Sequence, residues 1–225
     1  MGRLRACRRE TRPLFVRILR SIAEAVDAIR SAPRTNDRLI VGIAGAPGAG
    51  KSTVAALLVE ALGPTAVLLP MDGFHLPQST LVELGRRDRM GAPDTFDVPT
   101  LLALLAAIRA PGENSGDPLS APGFDRELEE PVPGAIHLMP EFSTVVVEGN
   151  YLLLDSGDWA SVAGYLDLSF FLEIDPELRR SRLIARHEKY GKSPSDARAW
   201  TLGPDEANAR LIETTAARAA YRLSL

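Results

Sequence analysis

The chain has 225 residues, a length that suits one domain, or one domain with a lid. Its net charge of −3 implies no general polyanion-binding surface, so no nucleic-acid partner is expected. No apolar run reaches membrane-spanning length, and Cys7 is the single cysteine, so no disulfide framework exists. These features fit a cytoplasmic protein without a membrane partner.

The arginine-rich opening, "MGRLRACRRETRPLF", reads as a basic start leading into an amphipathic helix over 14–29 rather than as a transit peptide. "RLIVGIAG" (38–45) is a short apolar run ending in glycine, hence a buried strand. "KSTVAALLVEAL" (51–62) reads as a helix, and "TAVLLPMD" (65–72) as a second strand that Pro70 brings to an end. A helix follows over 98–110, then a Gly/Pro/Ser-rich loop over 111–123. "STVVVEGNYLLL" (143–154) and "DLSFFLEI" (167–174) supply two more strands. Pro176 opens a helix running to about 190, a last helix covers 203–219, and "AYRLSL" (220–225) reads as an edge strand. Strand–helix alternation with nearly continuous apolar strands implies a parallel sheet covered on both faces. Ligands in such sheets bind at the carboxyl ends of the strands, where Gly45, Asp72 and Glu148 all fall.

"GAPGAGKS" (45–52) fills every position of G-x-x-x-x-G-K-[ST], between a strand and a helix. Gly45, Ala46, Pro47, Gly48, Ala49 and Gly50 form a loop whose backbone N–H groups cradle phosphate, and Thr53 follows on the first helical turn. Lys51 places a cation on the β- and γ-phosphates, and Ser52 offers a hydroxyl to Mg²⁺. Glu148, at the end of a buried strand beside this loop, is a second metal candidate. Asp72 lies at the next strand end. It is either a turn residue or the base that takes a proton from a hydroxyl acceptor. "GAPDTFD" (91–97) offers Asp94 and Phe96 to an acceptor pocket, or caps the next helix with Asp97. Arg179, Arg182 and Arg186 share one helix face, and "HEKYGKSPSDARAW" (187–200) extends a basic segment. Arginines on a mobile segment over the γ-phosphate neutralise transition-state charge.

"GIAGAPGAGKST", "MDGFH", "GAPDTFD", "VVVEGNYLLL" and "RLIARHEKYGKSP…ARAW" together resemble the phosphoribulokinase/uridine kinase superfamily of P-loop small-molecule kinases, in that family's order and over most of residues 38–215. The resemblance implies a P-loop NTPase fold: a three-layer α/β/α arrangement with a five-strand-centred parallel sheet and a helical lid. It implies one kinase domain over 1–225, with a basic N-terminal segment and helix over 1–37 and a lid over 176–201. It also implies ATP as donor and Mg²⁺. It carries the base role onto Asp72, the metal role onto Ser52 and Glu148, and transition-state contacts onto Lys51, Arg182 and Arg186, with Arg179 as substitute. Gly91 stands where uridine kinases resemble an aspartate that holds ribose hydroxyls, which weakens a nucleoside acceptor. Sugar, pantothenate and glycerate types remain open.

"PGFDRELEEPVP" (122–133) is expected to line the acceptor pocket with Asp125 and Arg126; Arg126 is either a clamp for an acceptor anion or a surface partner of Glu127 or Glu129. His75 is expected to face the acceptor. His137 and His187 read as structural or solvated, and Trp159 and Trp200 as packing residues. The segment 202–225 is expected to help build the adenine pocket, and a homodimer is allowed. The competing reading is a nucleotide-binding regulatory ATPase. It lacks the N-K-x-D signature of a GTPase switch and leaves Asp72 without a role.

Overall fold

The structure is a computed structural model that describes residues 16–34, 37–110 and 117–225. In chain order the elements are β1 (Arg17–Leu19), α1 (Ile22–Arg30), β2 (Leu39–Ala44), α2 (Lys51–Leu62), β3 (Ala66–Pro70), α3 (Gln78–Glu83), α4 (Val98–Arg109), β4 (Leu119–Asp125), β5 (Glu130–Leu138), β6 (Thr144–Glu148), β7 (Leu168–Glu173), α5 (Pro176–Lys189), α6 (Pro194–Trp200), α7 (Glu206–Glu213) and β8 (Tyr221–Ser224). Six strands form one sheet in the order β1-β8-β7-β2-β6-β3, and every pairing in it is parallel. β4 and β5 form a separate antiparallel hairpin.

The sheet strands are buried on both faces, and successive residues point to opposite layers. Ile40 and Ala44 of β2 join Val145 and Val147 of β6 in a core closed by Leu101, Leu105 and Ile108 of α4 and Ile212 of α7. Leu39, Val41 and Ile43 join Val146 on the other side, under Val26 and Ile29 of α1 and Val54 and Leu58 of α2. This is the expected three-layer α/β/α arrangement, with β1 added as a sixth strand. Among the described residues, no helix is long and apolar enough to cross a membrane.

Four expectations are corrected. The helix expected over 14–29 is two elements where it is described: β1, then α1 from Ile22. Ser21 has extended backbone, and its hydroxyl accepts the Glu24 N–H, so the S-x-x-E sequence "SIAE" marks the start. Residues 14 and 15 lie outside the described residues. β8 is not an edge strand, because β1 pairs along it and leaves β1 and β3 at the edges. Most of the described part of the 111–123 loop is β4; Pro122 and Gly123 sit where the hairpin register shifts, which disguised the strand. The last helix is shorter than 203–219. Its start is a widened turn over Thr201–Asp205 that accommodates Pro204, and α7 stops at Glu213.

The 3₁₀ turn Met71–Phe74 runs directly from β3. It is fastened on one side by antiparallel bridging of His75 to Phe96, with the Asp97 N–H donating to the Phe74 carbonyl at 2.7 Å. On the other side β4 crosses so closely that a Cβ on Gly73 would stand 2.1 Å from the Pro122 carbonyl oxygen. Gly73 is therefore required by that crossing rather than by its own turn. A Gly73→Ala substitution is expected to push the hairpin off the turn and destabilise the fold by about 1–3 kcal/mol or more, the usual cost of overpacking. Urea unfolding measures this, and a midpoint equal to that of the parent protein would refute the contact.

Candidate active site

The phosphate loop joins β2 to α2. Gly48 and Gly50 have left-handed backbone, with φ of +78° and +94°, and Gly50 is the residue just before α2. A Cβ on Gly48 would also press on Leu183 and the Arg179 carbonyl, so the loop is seated against α5. The site forms because parallel register brings three strand ends level: Ile43 lies beside Glu148, and Glu148 beside Pro70. Lys51, Glu148 and Asp72 thus converge although they are far apart in the chain.

They line a cavity of about 160 Å³ together with Ser52, His75, Phe96, Arg126 and Arg186. Lys51 is buried. Its ammonium donates to the Ala46 carbonyl at 3.1 Å and to Asn150 Oδ1 at 2.6 Å. Burial lowers its pKa from 10.5 to about 8, opposed by the Glu148 and Asp72 carboxylates. The Ser52 hydroxyl donates to Glu148 Oε1 at 2.9 Å. Burial, and then the nearby Asp72, push the Glu148 carboxyl above its usual range. The site therefore holds an ammonium and a carboxylate that burial pushes toward their neutral forms, each only partly offset by the other's charge.

Asp72 is partly exposed, and its Oδ2 accepts from Arg126 at 3.0 Å. Arg126 stands in the β4–β5 turn and does not pair with Glu127 or Glu129. His75 Nδ1 lies 2.9 Å from the Asp72 carbonyl oxygen, which only accepts, so Nδ1 carries the proton. Burial lowers the His75 pKa and keeps the ring neutral, leaving Nε2 as an acceptor. Its ring packs on Phe96 and Phe124, with centroids at 4.0 and 4.8 Å. Phe96 is backed by Tyr151 and the buried Trp159, whose polar tips donate to the carbonyls of Gly91 and Pro93. Asp97 caps α4 by accepting from the Thr100 N–H.

Two other sequence candidates point elsewhere. Asp94 is held by Arg86 and Arg89, outside this cavity. Asp125 accepts the N–H groups of Glu127 and Leu128 and so shapes the hairpin turn.

α5 closes a second cavity, of about 500 Å³, over the phosphate loop. It is lined by Gly48, Gly50, Thr53, Arg182, Arg186 and Arg126, among others. The three arginines of α5 have different fates. Arg182 and Arg186 reach this space, whereas Arg179 is buried and ion-paired to Glu206, so it is no substitute for them.

Other cavity residues were not anticipated. Asn150 follows the strand-end "VEG" directly, a position that marked it in the sequence. His187 is not solvated: its Nε2 lies 2.7 Å from Asp205 Oδ2, and it lines the Asp72 cavity. Trp200 also lines that cavity, beneath the Lys192 ammonium at 4.5 Å. The segment 202–225 brings Asp205 and Asn208 to the Asp72 cavity.

Among the described residues, no group of three or more His, Cys, Asp or Glu side chains could by itself cage a metal. The adjacent Ser52 hydroxyl and Glu148 carboxylate are two oxygen donors of the kind a hard cation such as Mg²⁺ takes.

Residues 40–196 match the model of the Phosphoribulokinase / Uridine kinase family. The chain is 35% identical over 181 residues to the uncharacterized protein YggC of Escherichia coli, covering 78% of this chain and 73% of that one. It is 32% identical over 145 residues to the pantothenate kinase of Enterococcus faecalis, covering 62% of this chain but only 46% of that longer protein. A crystal structure from Silicibacter sp. TM1040, provisionally named a fructose transport system kinase, superposes with a TM-score of 0.81 at 35% identity. The superposition covers 91% of this chain and 98% of that one.

The depressed Lys51 pKa has a measurable consequence. Between about pH 8 and 10.5 the unfolded chain holds more protons on this lysine than the folded one, so stability rises with pH across that window. At about 1.4 kcal/mol per pKa unit, the folded protein should gain roughly 3 kcal/mol there relative to a Lys51→Met variant. Urea unfolding of the nucleotide-free proteins at several pH values tests this; parallel pH profiles would refute it.

Proposed function

Because this chain belongs to the Phosphoribulokinase / Uridine kinase family, we propose that it transfers the γ-phosphate of ATP to a hydroxyl of a small metabolite, of sugar, nucleoside, pantothenate or glycerate type. The observation that carries the reading is one cavity lined by the phosphate loop, the Ser52–Glu148 pair and the Asp72 carboxylate. A nucleotide-binding switch would need the first two but not the third.

In this reading the chain is one kinase domain, with residues 176–201 as its lid. The triphosphate lies along Gly45–Thr53, where it takes Lys51 from the Ala46 carbonyl and Asn150. Ser52 and Glu148 would hold Mg²⁺, which neutralises charge on the β- and γ-phosphates. The acceptor sits against His75, Phe96 and Arg126, with its hydroxyl at Asp72. The hydroxyl oxygen attacks the γ-phosphorus while Asp72 takes its proton. The bond to the β–γ bridging oxygen breaks, and ADP departs with that electron pair. Arg182 and Arg186 of α5 offset the charge on the transferring group, aided by Lys51. Asp94 and Asp125 act outside the pocket, Asp94 by pairing with Arg86 and Arg89 and Asp125 by shaping the hairpin turn.

An Asp72→Asn protein should keep its ATP affinity while phosphoryl transfer falls by about 10²–10⁴, the contribution of a general base. ADP release with Mg-ATP over a panel of sugars, nucleosides, pantothenate and glycerate provides the readout. Unchanged turnover would remove Asp72 from the chemistry, and ATP turnover indifferent to every acceptor would favour a regulatory ATPase.

A further inference from the structure

Most ionic groups in the Asp72 cavity are paired across it. Arg87 is bound to Glu129 at 2.7 Å, and His187 to Asp205 at 2.7 Å. The proposed base is itself paired, with Arg126 donating to Asp72 Oδ2 at 3.0 Å. Arg126 is the hairpin residue that lines both the Asp72 cavity and the phosphate cavity, and its side chain is 40% exposed. Lys192, in the same cavity, has no carboxylate partner among the described residues and rests on the Trp200 ring.

Building on the kinase reading, we propose that Arg126 is a substrate-operated lock on Asp72, and that the acceptor is an anion-bearing alcohol whose carboxylate or phosphate opens it. With no acceptor bound, the guanidinium neutralises the base and denies it to water, which protects ATP from hydrolysis. An acceptor anion draws Arg126 away through the paired N–H bonds that guanidinium makes with carboxylate or phosphate. Lys192, which lines the same cavity, adds a second cation. The freed Asp72 then receives the acceptor hydroxyl. A half-exposed ion pair of this kind is weak, so an arriving anion can exchange it. A neutral acceptor offers Arg126 no replacement partner, and it either leaves the lock closed or strands a guanidinium in the cavity.

Arg126 is thus a positioning and specificity residue, and two measurements test it. The first is ADP release from Mg-ATP without acceptor, for the parent protein, Arg126→Ala, Asp72→Asn and the double variant. Arg126→Ala should hydrolyse ATP about tenfold faster, part of what a general base contributes. The double variant should fall back to the Asp72→Asn rate. An Arg126→Ala rate at or below that of the parent, with a raised KM for ATP, would overturn the lock and assign Arg126 to the nucleotide phosphates.

The second compares kcat/KM within matched pairs: glycerate against glycerol, and fructose 6-phosphate against fructose. In at least one pair the anionic member should lead by tenfold or more. That lead should vanish in Arg126→Ala and partly return in Arg126→Lys. The pair that shows it distinguishes carboxylate from phosphate. A preference for the neutral member, or a lead that survives Arg126→Ala, would overturn the anion assignment. The acceptor-free arm decides the lock whatever the acceptor is, and failure of the parent protein to bind ATP would count against the kinase reading instead.

Discussion

Everything in the cleft depends on the level ends of three parallel strands. Ile43, Glu148 and Pro70 stand side by side at the carboxyl edge of β2, β6 and β3. From that line the phosphate loop departs on one side and the Asp72 turn on the other, with Glu148 between them. A slip of one residue in any of the three strands would exchange the side chains that face the two cores and separate the charges. Alternate valines of the "TVVV" run before Glu148 serve the two opposite cores.

The same line concentrates charge where water is scarce. Lys51 and Glu148 are both buried, and each is pushed toward its neutral form by that burial. The folded chain tolerates this by pairing what it can: Ser52 to Glu148, Lys51 to Asn150 and the Ala46 carbonyl, Arg126 to Asp72. None of these contacts is a strong stabilising device. They are arrangements that a charged ligand can exchange for better ones, as expected of a site whose groups are held ready for phosphate.

Two close approaches of backbone hold the rest in place. Gly48 admits α5 onto the phosphate loop, and Gly73 admits β4 onto the Asp72 turn. The first brings Arg182 and Arg186 over the loop. The second brings Arg126 to Asp72. Cations from α5 and a cation from the hairpin therefore reach the same cleft, and small residues at the crossing points make both approaches possible.

The sequence by itself determined the parallel α/β sheet, the phosphate loop and the strand-end carboxylates, since each is written in a contiguous stretch. An apolar run, a glycine pattern and a following acid express local chemistry that needs no distant partner. It also marked the three-arginine face of α5, but it could not separate buried Arg179 from its neighbours, because depth depends on where Glu206 of α7 comes to lie. Only the tertiary structure decided that residues 119–138 fold as a hairpin, that β1 covers β8, and that Asp94 and Asp125 are engaged outside the cavity. It alone set Arg126 against Asp72, 54 positions apart in the chain. The β1–β8 and Arg126–Asp72 pairings are non-local, with partners tens of residues away that no periodicity announces; the hairpin and the Asp94 and Asp125 contacts are short-range, but residue type alone does not say which way each carboxylate turns.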